Sequence, residues 1–578
     1  MGRTRIKIVG QSGSGLLTAG ELISKGLQNL GFHLCADREY PSLIKGGHSC
    51  YTINFSQTPV RSLSRDADIL VAIDKHSMVA YFDTLKEKGA FVHGYEKMTN
   101  IPDVLKKIED RNIDVVNLPS RQIAFENGGT VQMANIILTG MTWKVLGFEY
   151  EIIEKLVSAK FAKKPKILEV AKKCLRVSYE GVETRLIASL PTHKNETILL
   201  DGNHAVALGA VKAGMRFYVA YPMSPASSIL THIANLSAET GIVVKQAEDE
   251  ITAAQMSLGA MFAGTRSMTA TSGGGYDLMT ETVSLAGIIE NPLVIALAQR
   301  PGPATGLPTW TGQGDLNLAI HSSHGEFPRV VIACSDPNDC FANIQHAFNF
   351  AEQYQVPVIL LTEKVVCESK MTVEPFNTNI PIERGLASNL EELKQEDRYK
   401  LTDSGLSQRW LPGSSETTFF ANGDEHDETG VLDESEKAGD MYAKRMRKMD
   451  LIRSHLPKPK IYGQEKDADI SFVGWGSTKT VMQDIIAQYA AQGITVNFLH
   501  FEVVWPLEEE GLNTFIVHNE NIHLIEGNYE GQLGAKVEAL GQAFTGKLLK
   551  WNGRPFFVED VSEYIEKQFA KDELNLKS

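Results

Sequence analysis

Short apolar runs alternate with amphipathic stretches along most of this chain. Runs at 5–9, 216–220, 242–244, 267–271, 293–298, 330–333, 358–361, 470–473, 494–499 and 522–525 are each only a few residues long. Such runs, bounded by turn residues, predict buried strands. Helical spacing fills the gaps between them. The spacing predicts helices from about Leu16 to Leu30, over 205–213, from Pro225, from Glu250 to Phe262, from about Leu278, and up to about Ala491. Gly31 and Gly214 stand just past the first two, where a left-handed residue closes a helix. Apolar strands alternating with helices predict parallel sheets covered on both faces, an α/β fold. The periodicity divides the chain into three α/β domains with mainly parallel sheets, at 1–190, 198–385 and 463–578.

The pattern breaks over 386–462. Asp and Glu crowd positions 422–440, and a basic run, Lys444-Arg-Met-Arg-Lys448, follows. The expectation is a solvated linker with an acidic loop and a basic helical piece. A polar tail from about Phe569 is expected to fray.

Charge narrows the function. The chain has 578 residues and a net charge of −14, which argues against nucleic acid and against an anionic membrane surface. Its apolar runs fall short of the roughly 18 residues that a membrane span needs. The start, Met-Gly-Arg-Thr-Arg, leads straight into the first strand rather than into a signal peptide, so a cytoplasmic protein is expected. Six scattered cysteines contain no C-x-x-C pair, which argues against a disulfide framework and against a metal or iron–sulfur site built from this chain alone.

Four polar features fall at or just after the C-terminal ends of predicted strands, the edge where open parallel sheets bind ligands. The first is Tyr221-Pro-Met-Ser-Pro-Ala-Ser-Ser228, where Ser224 is expected to cap a helix and Pro225 to open it. Its free N–H groups and positive dipole end suit a carboxylate or phosphate. The others are Glu248-Asp-Glu250, Thr271-Ser-Gly-Gly-Gly275, and the loop Arg300-Pro-Gly-Pro-Ala-Thr-Gly-Leu-Pro-Thr309. Taken singly, each has a plain structural reading; four in order along one sheet point to a site. The loop Gly10-Gln-Ser-Gly-Ser-Gly15 is G-x-x-G-x-G rather than the dinucleotide G-x-G-x-x-G, and reads either as a tight turn or as an anion cradle.

These motifs carry a resemblance. The middle domain resembles the pyrimidine-binding domain of the 2-oxoacid:ferredoxin oxidoreductases, which use thiamine diphosphate. That family's Y-P-I-T-P-S-S, E-D-E, T-S-G-x-G-x-x-L-M and R-x-G-P-S-T-G-L-P-T stretches match 221–227, 248–250, 271–279 and 300–309, and His324-Gly-Glu-Phe-Pro-Arg329 also fits. Residues 1–190 resemble its gamma domain, through Arg38-Glu-Tyr-Pro-Ser-Leu-Ile-Lys-Gly-Gly-His48. Residues 463–570 resemble its transketolase-C-terminal-like domain, through Gly476-Ser-Thr478 and Glu526-Gly-Asn-Tyr-Glu-Gly-Gln-Leu533. The order is that of a gamma–alpha fused alpha subunit of the 2-oxoglutarate type. Ser224 stands where Thr is usual, Gly312 where an acid is usual, and Asp277 where a small residue is common.

The resemblance implies conversion of 2-oxoglutarate and coenzyme A to succinyl-CoA and CO2 with reduction of ferredoxin. The alternative is the same chemistry on pyruvate or a branched-chain or aryl 2-oxoacid. It implies Glu250 as the carboxylate that bonds the aminopyrimidine of thiamine diphosphate, with Tyr221, Pro222, Ser272 and Gly273 as further cofactor contacts. It implies Ser224, Arg300, Thr309 and Lys45 as substrate donors. No G-D-G…N diphosphate motif is evident, since Asp201-Gly-Asn203 precedes a helix and Asn422-Gly-Asp-Glu425 lies in the acidic segment. A partner beta subunit is therefore expected to carry the diphosphate-binding domain, Mg2+ and a [4Fe–4S] cluster, in an αβ or (αβ)2 assembly.

Overall fold

The computed structural model describes residues 2–41, 47–98, 101–185, 191 and 196–575. The chain forms two compact units.

The first unit comprises Met1–Leu200, Ser369–Pro375 and Phe557–Glu563. Its eight strands lie in the order Asp114–Asn117, Leu85–His93, Ala67–Ala72, Thr4–Gln11, His48–Ser56, His33–Glu39, Lys370–Val373 and Ile198–Leu200. The first four run parallel and the remaining pairings are antiparallel. Alternate residues of the central strand, Ile6 and Ile8, are fully buried in a core with Leu27, Ile53 and Trp143. The first helix, Leu16–Asn29, begins after Gly15 and gives way to Gly31 at φ 92°.

The second unit comprises Asp201–Glu368, Phe376–Phe556 and Tyr564–Ser578 and holds two sheets. The larger has the order Val503–Trp505, Val330–Ala333, Pro357–Glu363, Leu293–Gln299, Ser267–Thr271, Phe217–Ala220 and Val243–Gln246. All of its pairs are parallel except the first. The smaller runs Lys460–Gly463, Val496–Phe501, Ile470–Trp475, Ile522–Glu526 and Gly546–Leu549, parallel except for its first pair. One apolar core, with Ile295, Leu297, Ile359, Val473, Trp475 and Leu499, serves both sheets.

Asp201 caps the helix Gly202–Lys212 by accepting the His204 N–H at 2.8 Å. Asp249 caps the helix Glu250–Phe262 by accepting the Thr252 N–H at 2.7 Å.

Three local expectations are corrected. The helix expected from Pro225 starts at Ser227, with Ala226 as its cap residue. The Ser224 carbonyl, which a cap position would give to the helix, instead accepts Arg300 Nη1 at 2.8 Å. The polar tail is helical through Asn575 rather than frayed from Phe569, in a helix that buries Ile565 and whose Tyr564 hydroxyl meets His523 Nδ1 at 2.8 Å.

The third correction concerns the solvated basic piece. Lys444 and Lys448 lie buried on the helix Ala438–Ser454, and both pair with the buried carboxylate of Glu290. Arg398 donates to the Glu290 carbonyl at 2.9 Å and to Gln355 Oε1 at 3.1 Å. Glu425, from the acidic stretch, pairs with Arg445. Lys444, Arg445 and Lys448 are thus interior partners, while Asp424, Glu434, Glu436 and Asp440 are exposed as expected.

Candidate active site

The site is built at the C-terminal edge of the larger sheet of the second unit. The chain passes from Phe217–Ala220 outward to Val243–Gln246, then back to Ser267–Thr271 on the other side. That reversal opens a crevice between the loops after the first and third of these strands.

Glu250 is the first residue of the helix Glu250–Phe262, where backbone N–H groups and the dipole favour a negative charge. It is only 4% exposed, and its Oε1 is buried without a hydrogen-bond partner among the described residues. Beside it lies the glycine turn. Thr271-Ser-Gly-Gly-Gly275 is not a loop: Ser272 stands at the cap position of a short helix, Gly273–Leu278. The Ser272 hydroxyl is likewise buried, with no partner among the described residues. Glycine is required at 275 by close approach. A Cβ there would lie 2.0 Å from Thr271 Oγ1 and 2.9 Å from Glu250 Oε1. At Gly274 a Cβ would meet nothing within 4 Å. The turn therefore packs against the acid at Gly275, while the exposed Gly274 faces open space. Buried polar atoms normally find partners, so an orphan carboxylate oxygen and an orphan hydroxyl mark a place for a polar ligand.

The neighbouring loops converge here. Thr271 Oγ1 lies 3.9 Å from Met223 Sδ of the 221–228 loop. Asn203 Nδ2 holds that loop through the Pro225 carbonyl at 2.8 Å and Ser228 Oγ at 2.7 Å. Arg300, at the end of Leu293–Gln299, reaches the Ser224 carbonyl. Burial lowers the pKa of its guanidinium from the ordinary value, opposed by the charge of Asp315. Tyr221, Pro222 and Ser224 are exposed at the loop surface, so ligand groups can reach them. Thr309 is buried in the loop after Arg300. Lys45 lies outside the described residues.

That loop is anchored by residues the motif reading did not single out. Gln313 Nε2 donates to Glu363 Oε1 and to the Trp475 carbonyl, both at 3.0 Å, and Gln313 Oε1 accepts the Gly527 N–H at 2.6 Å. Gly476, at φ 60°, lets this pair pass: a Cβ there would be 2.6 Å from Gln313 Nε2. The 476–478 and 526–533 motifs thus hold the active loop.

The G-x-x-G-x-G loop of the first unit borders a separate cavity of about 590 Å3. Gly13, Ser14, Lys75, Lys97 and Arg121 line part of it, with Asp74 and Glu96. Asp74 is engaged with the Gln11 N–H and with Ser77. The Ser14 and Tyr95 hydroxyls are buried without partners among the described residues.

Comparison with known proteins agrees with this architecture. The family described as "Pyruvate flavodoxin/ferredoxin oxidoreductase, thiamine diP-bdg" matches residues 208–444. The family described as "Pyruvate ferredoxin/flavodoxin oxidoreductase" matches residues 5–181. The 2-oxoacid:ferredoxin oxidoreductase subunit alpha of Sulfolobus sp is 31% identical over 617 residues, covering 97% of this chain and 96% of that one. The 2-oxoglutarate synthase subunit KorA of Methanothermobacter thermautotrophicus is 32% identical over 379 residues, covering 64% of this chain and 99% of that one. The solved 2-oxoglutarate:ferredoxin oxidoreductase of Magnetococcus marinus, with 2-oxoglutarate, coenzyme A and succinyl-CoA bound, superposes with a TM-score of 0.89 at 27% identity, over 98% of this chain and 99% of that one. The chain belongs to a class of thiamine-diphosphate enzymes, the 2-oxoacid:ferredoxin oxidoreductase family, as an alpha subunit.

Among the described residues no helix is long and apolar enough to cross a membrane.

Proposed function

We propose that this alpha subunit acts on 2-oxoglutarate, giving succinyl-CoA and CO2 with reduction of ferredoxin, in a complex with a beta subunit. The observation that carries the site is the orphan Oε1 of Glu250, held against Gly275. These groups fit an aminopyrimidine: the carboxyl meets a ring nitrogen, and the Ser272 hydroxyl and the Gly273 backbone lie on the same turn. Bound thiamine diphosphate supplies the nucleophilic carbon and the electron sink that decarboxylation of a 2-oxoacid needs.

The chain's own residues do the rest. Glu250, buried with an unpartnered Oε1, would hold the aminopyrimidine of the cofactor and serve as its proton-transfer group. Tyr221 and Pro222, exposed on the loop, would contact the cofactor. Arg300 supplies the cation for the C1 carboxylate of the substrate, with the Ser224 and Thr309 hydroxyls as further donors. Lys45 is assigned to the distal carboxylate on the motif alone.

Mg2+, the diphosphate site and a [4Fe–4S] cluster are assigned to the beta subunit, because this chain lacks the G-D-G…N motif and cluster-type cysteine spacing. We assign coenzyme A to the first unit's cavity, supported by its three basic side chains and its orphan hydroxyls. The choice of 2-oxoglutarate is supported by the names of the Methanothermobacter and Magnetococcus relatives.

The test is a substrate panel on the complex purified from its source. Reduction of a viologen dye, dependent on coenzyme A, is followed with 2-oxoglutarate, pyruvate, a branched-chain 2-oxoacid and an aryl-pyruvate. The highest kcat/KM belongs to 2-oxoglutarate under this reading. A higher value for another acid transfers the same chemistry to that acid, and no turnover with any of them overturns the assignment.

A further inference from the structure

Asp201-Gly-Asn203 has no task in the reaction as outlined. Asp201 is spent on capping the helix Gly202–Lys212 through the His204 N–H. Gly202 is pressed against the short helix Lys364–Glu368: a Cβ there would lie 2.3 Å from the Val366 carbonyl oxygen. The next residue, Asn203, is fully buried. Its Nδ2 donates to the Pro225 carbonyl at 2.8 Å and to Ser228 Oγ at 2.7 Å. A carbonyl oxygen only accepts, so the amide nitrogen must be the atom that faces it. Asn203 Oδ1 is buried with no partner among the described residues.

A buried amide with an unmet acceptor is a poor choice for stability alone, because that oxygen loses its hydration without replacement. Its donors go to the segment that carries Ser224. Pro225 follows Ser224 directly, and the Ser224 carbonyl accepts Arg300 Nη1 at 2.8 Å. A short chain of contacts thus runs from Asn203 through the Pro225 and Ser224 peptide groups to the guanidinium. Two further contacts tie the same two helices together. The His204 and His232 rings stack with centroids 4.3 Å apart, and His232 Nε2 lies 3.8 Å from Asp201 Oδ1. The helix Ser227–Thr240, which carries Ser228 and His232, is thereby held against the start of Gly202–Lys212.

We propose that Asn203 is a positioning residue for the substrate carboxylate site: by fixing the Pro225 and Ser228 end of the 221–228 loop it sets the Ser224 carbonyl, and through it the Arg300 guanidinium, where the C1 carboxylate of a 2-oxoacid is received. The inference rests on the reading of Arg300 as the substrate cation, and deepens it by naming what holds that cation in place. Without the two bonds the loop spends part of its time out of position, and apparent affinity falls with the fraction of molecules that remain competent. A single hydrogen bond is worth about two- to tenfold in such an equilibrium.

The experiment measures KM and kcat of the purified complex by dye reduction, first with the 2-oxoacid of highest kcat/KM varied and then with coenzyme A varied. Asn203→Asp keeps the shape but sets an acceptor against the Pro225 carbonyl. Ser228→Ala removes the other bond from the loop side. Asn203→Asp should raise KM for the 2-oxoacid about tenfold and Ser228→Ala about two- to tenfold. In both, kcat and the KM for coenzyme A should stay within about twofold of wild type, as loss of ground-state binding requires. On an Arg300→Ala background either change should add less than about twofold, because no guanidinium is left to place. A residue that only supported the fold would lower kcat, raise both KM values and multiply the effect of Arg300→Ala. Wild-type 2-oxoacid KM in Asn203→Asp, or a multiplied effect on the Arg300→Ala background, overturns the proposal while leaving Arg300 as the substrate cation. Where Asn203→Asp does not assemble, the same outcomes in Ser228→Ala decide. An unchanged 2-oxoacid KM in Arg300→Ala overturns the proposal together with the reading of the site beneath it.

Discussion

Replacing Gly275 by alanine sets three effects against one another at the most crowded point of the site. Alanine favours a helix over glycine by about 1 kcal/mol, and residue 275 is helical. Against that, the new Cβ would lie 2.0 Å from Thr271 Oγ1 and 2.9 Å from Glu250 Oε1, where ordinary contact begins at 3.4 Å. Thr271 is fully buried and has little room to turn aside. Overpacking of this kind costs roughly 1–3 kcal/mol, so the net loss of stability is at most about 2 kcal/mol and the chain still folds. Function suffers more. Glu250 must retreat by a few tenths of an ångström or more, and a misplacement approaching 1 Å costs about 100-fold in rate. Turnover of the complex by dye reduction, thiamine diphosphate affinity, and chemical denaturation of the same preparation separate the two effects. Gly274→Ala meets open space and serves as the stability control, expected to hold or gain up to about 1 kcal/mol. Wild-type turnover and cofactor affinity in Gly275→Ala would refute the claim that this glycine sets the position of Glu250.

Glu290→Gln leaves Lys444 and Lys448 buried without their counter-charge, and a loss of about 3–5 kcal/mol on denaturation is expected. The two lysines hold the pKa of Glu290 well below the ordinary carboxylate value against the opposing effect of burial. Its folded pKa being depressed, its contribution is fully present above about pH 4.5 and is lost as the pH falls. Wild type should therefore lose stability on acidification more steeply than Glu290→Gln. Arg300→Ala should raise KM for the 2-oxoacid about 10- to 100-fold, as loss of a charge-assisted hydrogen bond of about 1.5–3 kcal/mol requires, with far less effect on KM for coenzyme A. Equal effects on both would remove Arg300 from the substrate site.

Much of this was legible before any coordinates. The sheet edge was readable because parallel strands buried on both faces leave continuous apolar runs, and because Asp249 caps a helix in the usual way just before Glu250. The misreadings share one cause. Ser224 looked like a helix cap because that rule looks only a few residues along the chain, whereas its carbonyl is claimed by Arg300, 76 positions away. Lys444 and Lys448 looked like a solvated run because their partner Glu290 lies 154 positions before Lys444. The glycine triplet looked like a turn because three glycines lower helix propensity. Close packing against Thr271 and Glu250 overrides that propensity at position 275. Gln313 gave no periodic signal, because its partners Glu363, Trp475 and Gly527 lie 50 to 214 positions away.

The account turns on one side chain, and Glu250→Gln in the assembled complex tests it most directly. The glutamine keeps the shape and most of the packing, so thiamine diphosphate should still bind and thermal unfolding should move little. Turnover should fall by about 100- to 10,000-fold, the range that a positioned proton-transfer group contributes. A Glu250→Gln complex that holds the cofactor and keeps more than about a tenth of wild-type turnover would contradict the account.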